Sequence, residues 1–266
     1  MSTSQLEEQW VESGRAWSAR AAEWAYLWEP YSRPANAVVY DRLGVGPGVR
    51  HVDIACGSGL AAQTSARLGA EVSGLDAAET LVAIARARTP EGDFRVGDMF
   101  ALPFADGAFD VATSFNGIWK GCEGALEEAH RVLAPRGRLG LTFWGAYENL
   151  GLMPYFLKVI ELSPPSHGTA TMEQGDTGRA GVIEEMLAST GFRLLERGVV
   201  TVTNEWPDVD IATRALAAAG PSVPAIDAVG RDAFIEALRE AIEPLHVPGL
   251  GVRVDNEFVW VTAERS

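Results

Sequence analysis

A run of ten residues, 51–60, combines an acid, two glycines and small side chains in a spacing that suits ligand binding. Val52 and Ile54 are apolar and β-branched, as a buried strand requires. Gly57 and Gly59 permit a tight turn with positive φ, and a helix is predicted directly after them. A strand, a glycine turn and a helix N-terminus bring bare backbone close to a ligand, since no Cβ blocks its approach.

Two ligands fit this turn. With Ala62, the glycines satisfy the G-x-G-x-x-G/A pattern of dinucleotide-binding proteins, so a nicotinamide dinucleotide is one candidate. Asp53, inside the strand before the glycines, favours the other, because a carboxylate there repels a pyrophosphate and attracts a cation. S-adenosylmethionine, which carries an amino group and a sulfonium, is such a cationic ligand.

The segment Asp53-Ile54-Ala55-Cys56-Gly57-Ser58-Gly59 resembles motif I of the class I S-adenosylmethionine-dependent methyltransferases, usually (D/E)-x-G-x-G-x-G. Alanine stands at position 55, where glycine is commoner. Residues 102–110 and 128–137 resemble two further phrases of that family, and the resemblance extends over about residues 49–145. It points to the small-molecule group that includes the quinone-biosynthesis enzymes. It implies cofactor contacts from Asp53, Ala55, Cys56, Gly57 and Gly59.

Acids at the ends of the second and third predicted strands extend this site. Asp76 lies where a Rossmann-type fold places an acid on the ribose hydroxyls, and Ala77 follows it. The alternative for Asp76 is a helix N-cap. By resemblance, Asp98 accepts from the exocyclic amine of adenine and Met99 packs on its ring. The alternative for Asp98 is an exposed loop position.

Asn116 follows the fourth predicted strand, residues 111–115. Ligands of doubly wound sheets lie outside the carboxyl ends of the strands, so we expect Asn116 near the transferred methyl group. The catalytic base is not identified. His130 belongs to a helical phrase and is expected to pack, whereas His167 is a weak candidate for a general base.

Aromatic residues are expected to wall a substrate pocket. Trp10, Trp17 and Trp24 recur at heptad spacing on a helix predicted from about residue 5 to Pro30. Either this helix packs on the domain or it closes over the active site. The pocket residues expected from the sequence are Trp24, Tyr31, Trp119, Trp144 and Tyr155.

The order of elements predicts an α/β fold with a Rossmann-like, doubly wound sheet. By resemblance the sheet has seven strands, the last antiparallel to the others. Residues 1–44 are predicted to be an N-terminal helical cap segment, and residues 45–266 the methyltransferase domain. Insertions near 146–180, expected to be irregular, and near 207–250, expected to be helical, would complete the cap.

The composition of the chain limits the classes of molecule that it is expected to bind. A formal net charge of −14 over 266 residues, without a basic run, argues against nucleic acid and against an anionic membrane surface. Two cysteines form neither a disulfide framework nor a metal site. The start of the sequence has no apolar leader, so we expect a cytoplasmic location. Because nucleic acid is disfavoured by the net charge, we expect a small-molecule substrate. A homodimer is left open.

The sequence therefore predicts transfer of a methyl group from S-adenosylmethionine to an O, N or C nucleophile of a hydrophobic small molecule. S-adenosylhomocysteine is the product, and we expect catalysis by proximity and orientation without a metal. Two alternatives stay open. One is a regulatory or scaffold protein that binds S-adenosylmethionine without methyl transfer, and the other is a nicotinamide oxidoreductase.

Overall fold

The computed structural model describes residues 3–165, 167 and 175–266, with side chains from Trp10 onward. From Arg50 to Trp144 the strands and helices alternate, except that no helix lies between Val96 and Phe109. The strands are β1 (Arg50–Ile54), β2 (Glu71–Asp76), β3 (Asp93–Val96), β4 (Phe109–Phe115), β5 (Leu133–Trp144), β6 (Phe192–Trp206), β7 (His246–Val247) and β8 (Gly251–Arg265). The α-helices are α1 (Thr3–Ser18), α2 (Ala21–Leu27), α3 (Arg33–Leu43), α4 (Leu60–Arg67), α5 (Glu79–Arg88), α6 (Glu123–Val132), α7 (Met153–Leu162), α8 (Val182–Ser189), α9 (Val209–Ala217), α10 (Ser222–Val229) and α11 (Arg231–Ile242).

One sheet, with strand order β3-β2-β1-β4-β5-β8-β6, forms the centre of the molecule. Strands β1 to β5 pair in parallel, and β8 lies antiparallel between β5 and β6. The predicted α/β class and the antiparallel last strand are confirmed, and the short β7 adds an eighth strand at the edge of β8. The strand order reverses between β1 and β4, so a crevice is expected at their carboxyl ends.

Helices cover both faces of the sheet, as predicted. On one face, α6 and α8 bury Leu126 and Leu187 against Ile54 and Leu141. On the other, α3 packs Val39 and Leu43 against the sheet. Because both faces are covered, the central strands are apolar on both sides, which explains their nearly continuous apolar sequences.

The N-terminal segment differs from the single helix that was predicted. The first helix ends at Ser18, and α2 and a 3₁₀ turn (Glu29–Ser32) follow before α3. We call residues 21–32 the strap. Ala21 packs against α5, whereas the carbonyl of Leu27 accepts a 2.7 Å hydrogen bond from Trp206 Nε1 at the end of β6. The strap therefore runs from the β2 side of the sheet to the β6 side.

The insertion near 146–180 is not irregular throughout, because α7 forms at its centre. Pro154 stands in the first turn of α7, where its missing N–H removes no helical hydrogen bond. The insertion near 207–250 contains α9, α10 and α11, of which α10 was not predicted. Residues of α7 and these helices share one buried cluster, including Tyr155, Leu216 and Phe234. We call this helical layer, with the strap that covers it, the cap.

The strands β6 and β8 are longer than predicted. β6 begins at Phe192 rather than at residue 199, and β8 covers Gly251–Arg265 rather than 257–263. The missed part of β6 contains Arg193, Glu196 and Arg197, and residues 195–197 are all exposed beside an irregularity in the pairing, as an edge strand permits. Along the described part of the chain, every helix is too short or too polar to cross a bilayer.

Candidate functional site

The glycine turn lies at the carboxyl end of β1. Ala55, Gly57 and Gly59 have φ values of +57°, +53° and +71°, which glycine adopts readily and alanine only under strain. A Cβ on Gly59 would lie 2.6 Å from the Cβ of Ala85 in α5, and one on Gly57 would lie 2.9 Å from the Trp24 ring. A side chain at either position would clash with α5 or the strap, so the packing of the protein itself requires glycine there.

Two carboxylates accept hydrogen bonds from backbone amides of this turn. Asp76, at the end of β2, accepts 2.8 Å hydrogen bonds from the amides of Gly57 and Ala78. Glu29 of the strap accepts a 3.3 Å hydrogen bond from the amide of Ser58. Dinucleotide enzymes present free amides at this helix N-terminus to a pyrophosphate. Here an anion would meet two carboxylates, which favours a cationic ligand over a dinucleotide.

Asp53 is buried below the turn. The hydroxyl of Thr113 donates to Asp53 Oδ1 at 2.7 Å, so the hydroxyl must accept the 2.8 Å bond from His51 Nε2. Burial lowers the pKa of His51 to about 3, which keeps its ring neutral. Burial, followed by the charges of Glu29 and Asp76, raises the pKa of Asp53 to about 7. A nearby cation would restore the ionised form of Asp53.

Asp98 and Asn116 lie after β3 and β4. Asp98 Oδ1 accepts a 3.0 Å hydrogen bond from the amide of Phe100. Met99 packs against the large buried cluster that α6 and α8 form with the sheet, which we call the main core. Asn116 has φ +57°, and its amide donates to the Thr142 carbonyl at 3.1 Å. Its Oδ1 is buried and has no hydrogen-bond partner among the residues that the structure describes. A buried, unpaired acceptor at this edge fits a ligand that supplies a hydrogen-bond donor.

An aromatic cluster lies where the strap meets β5 and the cap helices. The ring centroid of Trp28 is 6.5 Å from that of Trp144 and 5.3 Å from that of Tyr155. Trp144 also packs on Phe156 at 5.0 Å and on Phe258 at 4.6 Å. These five residues form what we call the aromatic cluster. Its edge-to-face contacts are those that aromatic rings favour.

The expected pocket residues separate into groups. Trp144 and Tyr155 belong to the aromatic cluster, and Tyr31 packs beside Trp144. Trp24 does not join them, because it lies on the glycine turn and packs on Trp17. Trp119 packs against the main core instead. The spacing of tryptophans along the sequence could not show that the chain bends after Leu27 and divides them.

His130, which was expected to pack, and His167, the weak candidate for a base, occupy different environments. His130 packs on Phe192 with a centroid distance of 5.4 Å, in accord with the packing role expected for it. His167 is exposed on the surface, and its backbone amide donates to the Pro164 carbonyl. Among the described residues, no group of three His, Cys, Asp or Glu side chains could hold a metal ion.

Sequence reasoning missed Glu29, Ser58 and Arg88. Glu29 is 8% exposed, and Arg88 at the end of α5 donates to it at 2.7 Å. Arg88 also donates to the carbonyls of Ala25 and Ser58 at 3.0 and 3.2 Å. An acid between Trp28 and Pro30 gives no motif, so its burial was visible only after folding brought α5 against the strap.

A model of the methyltransferase domain family matches residues 52–141. A demethylmenaquinone methyltransferase of Renibacterium salmoninarum is 38% identical over 110 residues, which are 41% of this chain and 46% of the relative. One from Thermus thermophilus is 48% identical over 98 residues, 34% of this chain and 44% of the relative. An uncharacterised protein of Mycobacterium tuberculosis is 31% identical over 155 residues, or 54% and 57%. The matches thus span about half the length of these curated relatives.

Solved structures extend the likeness over most of the chain. An S-adenosylmethionine-dependent methyltransferase from Mesorhizobium loti covers 88% of this chain and 98% of its own, with a TM-score of 0.51 and 20% identity. The [4+2]-cyclase SpnF covers 90% and 83%, with a TM-score of 0.57 and 22% identity. Both are similar in fold, and they differ in the reactions that their names describe.

Proposed function

We propose that this chain, whose residues 52–141 belong to the class I S-adenosylmethionine-dependent methyltransferases, transfers a methyl group to a hydrophobic small molecule. One observation carries the proposal beyond family membership. Asp76 accepts a hydrogen bond from the amide of Gly57, and Glu29 accepts one from the amide of Ser58. Asp53 is buried below this turn. This arrangement suits a sulfonium cofactor and opposes the pyrophosphate of a nicotinamide dinucleotide.

Each acid has a proposed part in holding S-adenosylmethionine. Asp76 keeps lone pairs beyond its two amide bonds with which to accept from the ribose hydroxyls. Asp98 accepts from the adenine amine beside Met99. Asp53 balances the positive charge below the turn. Asn116 supplies its unpaired Oδ1 to an ammonium group or a polarised methyl group at the carboxyl end of β4.

Asp53, Asp76 and Asp98 would hold S-adenosylmethionine, which would supply an electrophilic methyl group on a positive sulfur. The residues of this chain align the acceptor and keep water away. Orientation alone can lower a barrier by about 7–11 kcal/mol. The strap crosses this edge of the sheet, so it can perform both tasks. No base and no metal ion is assigned in this proposal.

The proposed acceptor is apolar and carries an O, N or C nucleophile. The aromatic cluster begins at Trp144, the last residue of β5, and the strap joins it to the glycine turn. Aromatic rings with few polar groups favour a hydrophobic, flat ligand. Two relatives are named demethylmenaquinone methyltransferase, and a quinol is therefore the first acceptor class to test.

Purified protein incubated with methyl-labelled S-adenosylmethionine and a panel of quinols, phenols and amines tests the proposal. We expect label in an extractable product and stoichiometric formation of S-adenosylhomocysteine with at least one acceptor. The alternative, binding without methyl transfer, predicts saturable binding of S-adenosylmethionine and no labelled product across the panel. The similarity in fold to a cyclase keeps this alternative open, because a fold alone does not fix a reaction.

A further inference from the structure

Glu29 is a buried acid that reaches the glycine turn from the strap. It lies in the 3₁₀ turn of the strap, outside residues 52–141, and is 8% exposed. Its Oε1 accepts from the amide of Ser58, and its Oε2 accepts from the Ser58 hydroxyl and from Arg88 Nη1. Three hydrogen bonds thus hold the carboxylate of Glu29 against the glycine turn and away from solvent.

The charges around this turn do not balance. Glu29, Asp53 and Asp76 bring three carboxylates to residues 53–58. Among the described residues, Arg88 is the guanidinium at this turn, and it pairs with Glu29. Burial raises the pKa of all three carboxyls, and the charges of Glu29 and Asp76 raise that of Asp53 further. With all four groups ionised, the formal charge is −2, so the turn is short of positive charge.

Methyl transfer changes the charge of the proposed ligand. S-adenosylmethionine carries a sulfonium, an ammonium and a carboxylate, for a net charge of +1. S-adenosylhomocysteine has a neutral thioether in place of the sulfonium, for a net charge of zero. A buried carboxylate therefore attracts the methyl donor more strongly than the product, and in a water-poor site that difference is weakly screened.

We propose that Glu29 is a specificity-determining residue, which favours the cationic methyl donor over its neutral product and so promotes product release. This inference rests on the proposed function, because it needs S-adenosylmethionine as the ligand. It assigns an electrostatic role to the strap in addition to its role in covering the site. Glu29 achieves this without belonging to the sequence motif that defines the cofactor-binding region.

Glu29→Gln tests the proposal, since glutamine keeps the size and can still accept from Ser58. Calorimetric titrations at pH 8 would give the Kd of both ligands. We expect the Kd of S-adenosylmethionine to rise about tenfold and that of S-adenosylhomocysteine to change by less than about twofold. Glu23→Gln is the matched control on the same strap, because Glu23 pairs outward with Arg20 and Arg214 and should leave the ratio unchanged.

Arg88→Gln gives a second variant with the opposite sign. Removal of the guanidinium makes the turn more negative, so the preference for S-adenosylmethionine over S-adenosylhomocysteine should increase even if both ligands bind more weakly. Equal losses for both ligands in both variants would show that Glu29 and Arg88 only hold the strap, and would overturn the proposal. If neither ligand binds the unaltered protein, the proposed function fails instead, and the two failures are thus distinguishable.

Discussion

The glycine turn and the cap are built from the sequence in different ways. The acids and glycines of the turn lie between Asp53 and Asp76, on two neighbouring strands. The cap joins residues that are distant in sequence. Trp206, for example, donates a hydrogen bond to the carbonyl of Leu27, which lies 179 positions earlier in the chain. The turn is polar, with charged hydrogen bonds, whereas the cap is held by aromatic packing. The two regions teach that a short stretch of sequence can specify the glycine turn, whereas the cap depends on contacts between distant residues.

If the two regions are separable, a change in one should leave the property of the other intact. The first expectation concerns Asp76→Ala, which removes the acceptor of the Gly57 and Ala78 amides. We expect cofactor affinity to weaken by about 1.5–3 kcal/mol, as for other hydrogen bonds to charged groups. Titration calorimetry measures this loss. Asp110→Ala, which removes an exposed partner of Arg50, is the control and should not alter affinity. Unchanged affinity in the Asp76 variant would refute the assignment to the ribose.

The second expectation is a pH dependence of cofactor binding. In the free protein Asp53 has a pKa of about 7, raised by burial and then by Glu29 and Asp76. His51 and Tyr40, which pack near it, are neutral at pH 6–8, because burial lowers the pKa of one and raises that of the other. A cation binds the ionised carboxyl, so affinity should increase from pH 6 to pH 8 by about tenfold.

Asp53→Asn is the control for this pH dependence. Asparagine can still accept the hydroxyl of Thr113 but does not titrate. The variant should bind S-adenosylmethionine weakly, with an affinity that changes little between pH 6 and pH 8. A pH dependence that persists in the variant would assign the titration to another group and contradict this account of Asp53.

The smallest expected effect belongs to the cap. Tyr155→Phe removes a buried hydroxyl that lies 3.1 Å from the Ser222 hydroxyl and keeps the ring in the aromatic cluster. The free energy of unfolding should fall by about 1 kcal/mol, measured by urea denaturation, because one buried bond is lost. Cofactor affinity should stay the same. Tyr26→Phe, on an exposed ring, is the control. A large fall in kcat with unchanged stability would instead place Tyr155 in the chemistry.

The arrangement of acids around the glycine turn was predictable because it depends on local sequence. A carboxylate that precedes two glycines, and an acid that ends an apolar run, indicate where the strands end. They also indicate which polar groups lie at those carboxyl ends. Asp53 and Asp76 could therefore be assigned to one crevice without coordinates. The antiparallel last strand came from resemblance to the family rather than from its own residues.

The cap could not be predicted in detail, because its contacts depend on how distant elements meet. The insertion near 146–180 was expected to be irregular, yet Pro154 stands in the first turn of a helix that tertiary packing stabilises. Pro221 precedes a further helix, which was not predicted. The bend after Leu27 separates Trp24 from Trp28, although their spacing places them on one helical face. Glu29 gained its partners only when α5 brought Arg88 to the strap.

Titration calorimetry of S-adenosylmethionine, S-adenosylhomocysteine and NADH into the purified chain tests the central claim most directly. The claim is that carboxylates on the amides of Gly57 and Ser58 select a cationic ligand and exclude a pyrophosphate. The account predicts saturable binding of the first two ligands, with the donor's affinity greater at pH 8 than at pH 6, and no binding of NADH. Binding of NADH alone would contradict it and favour an oxidoreductase.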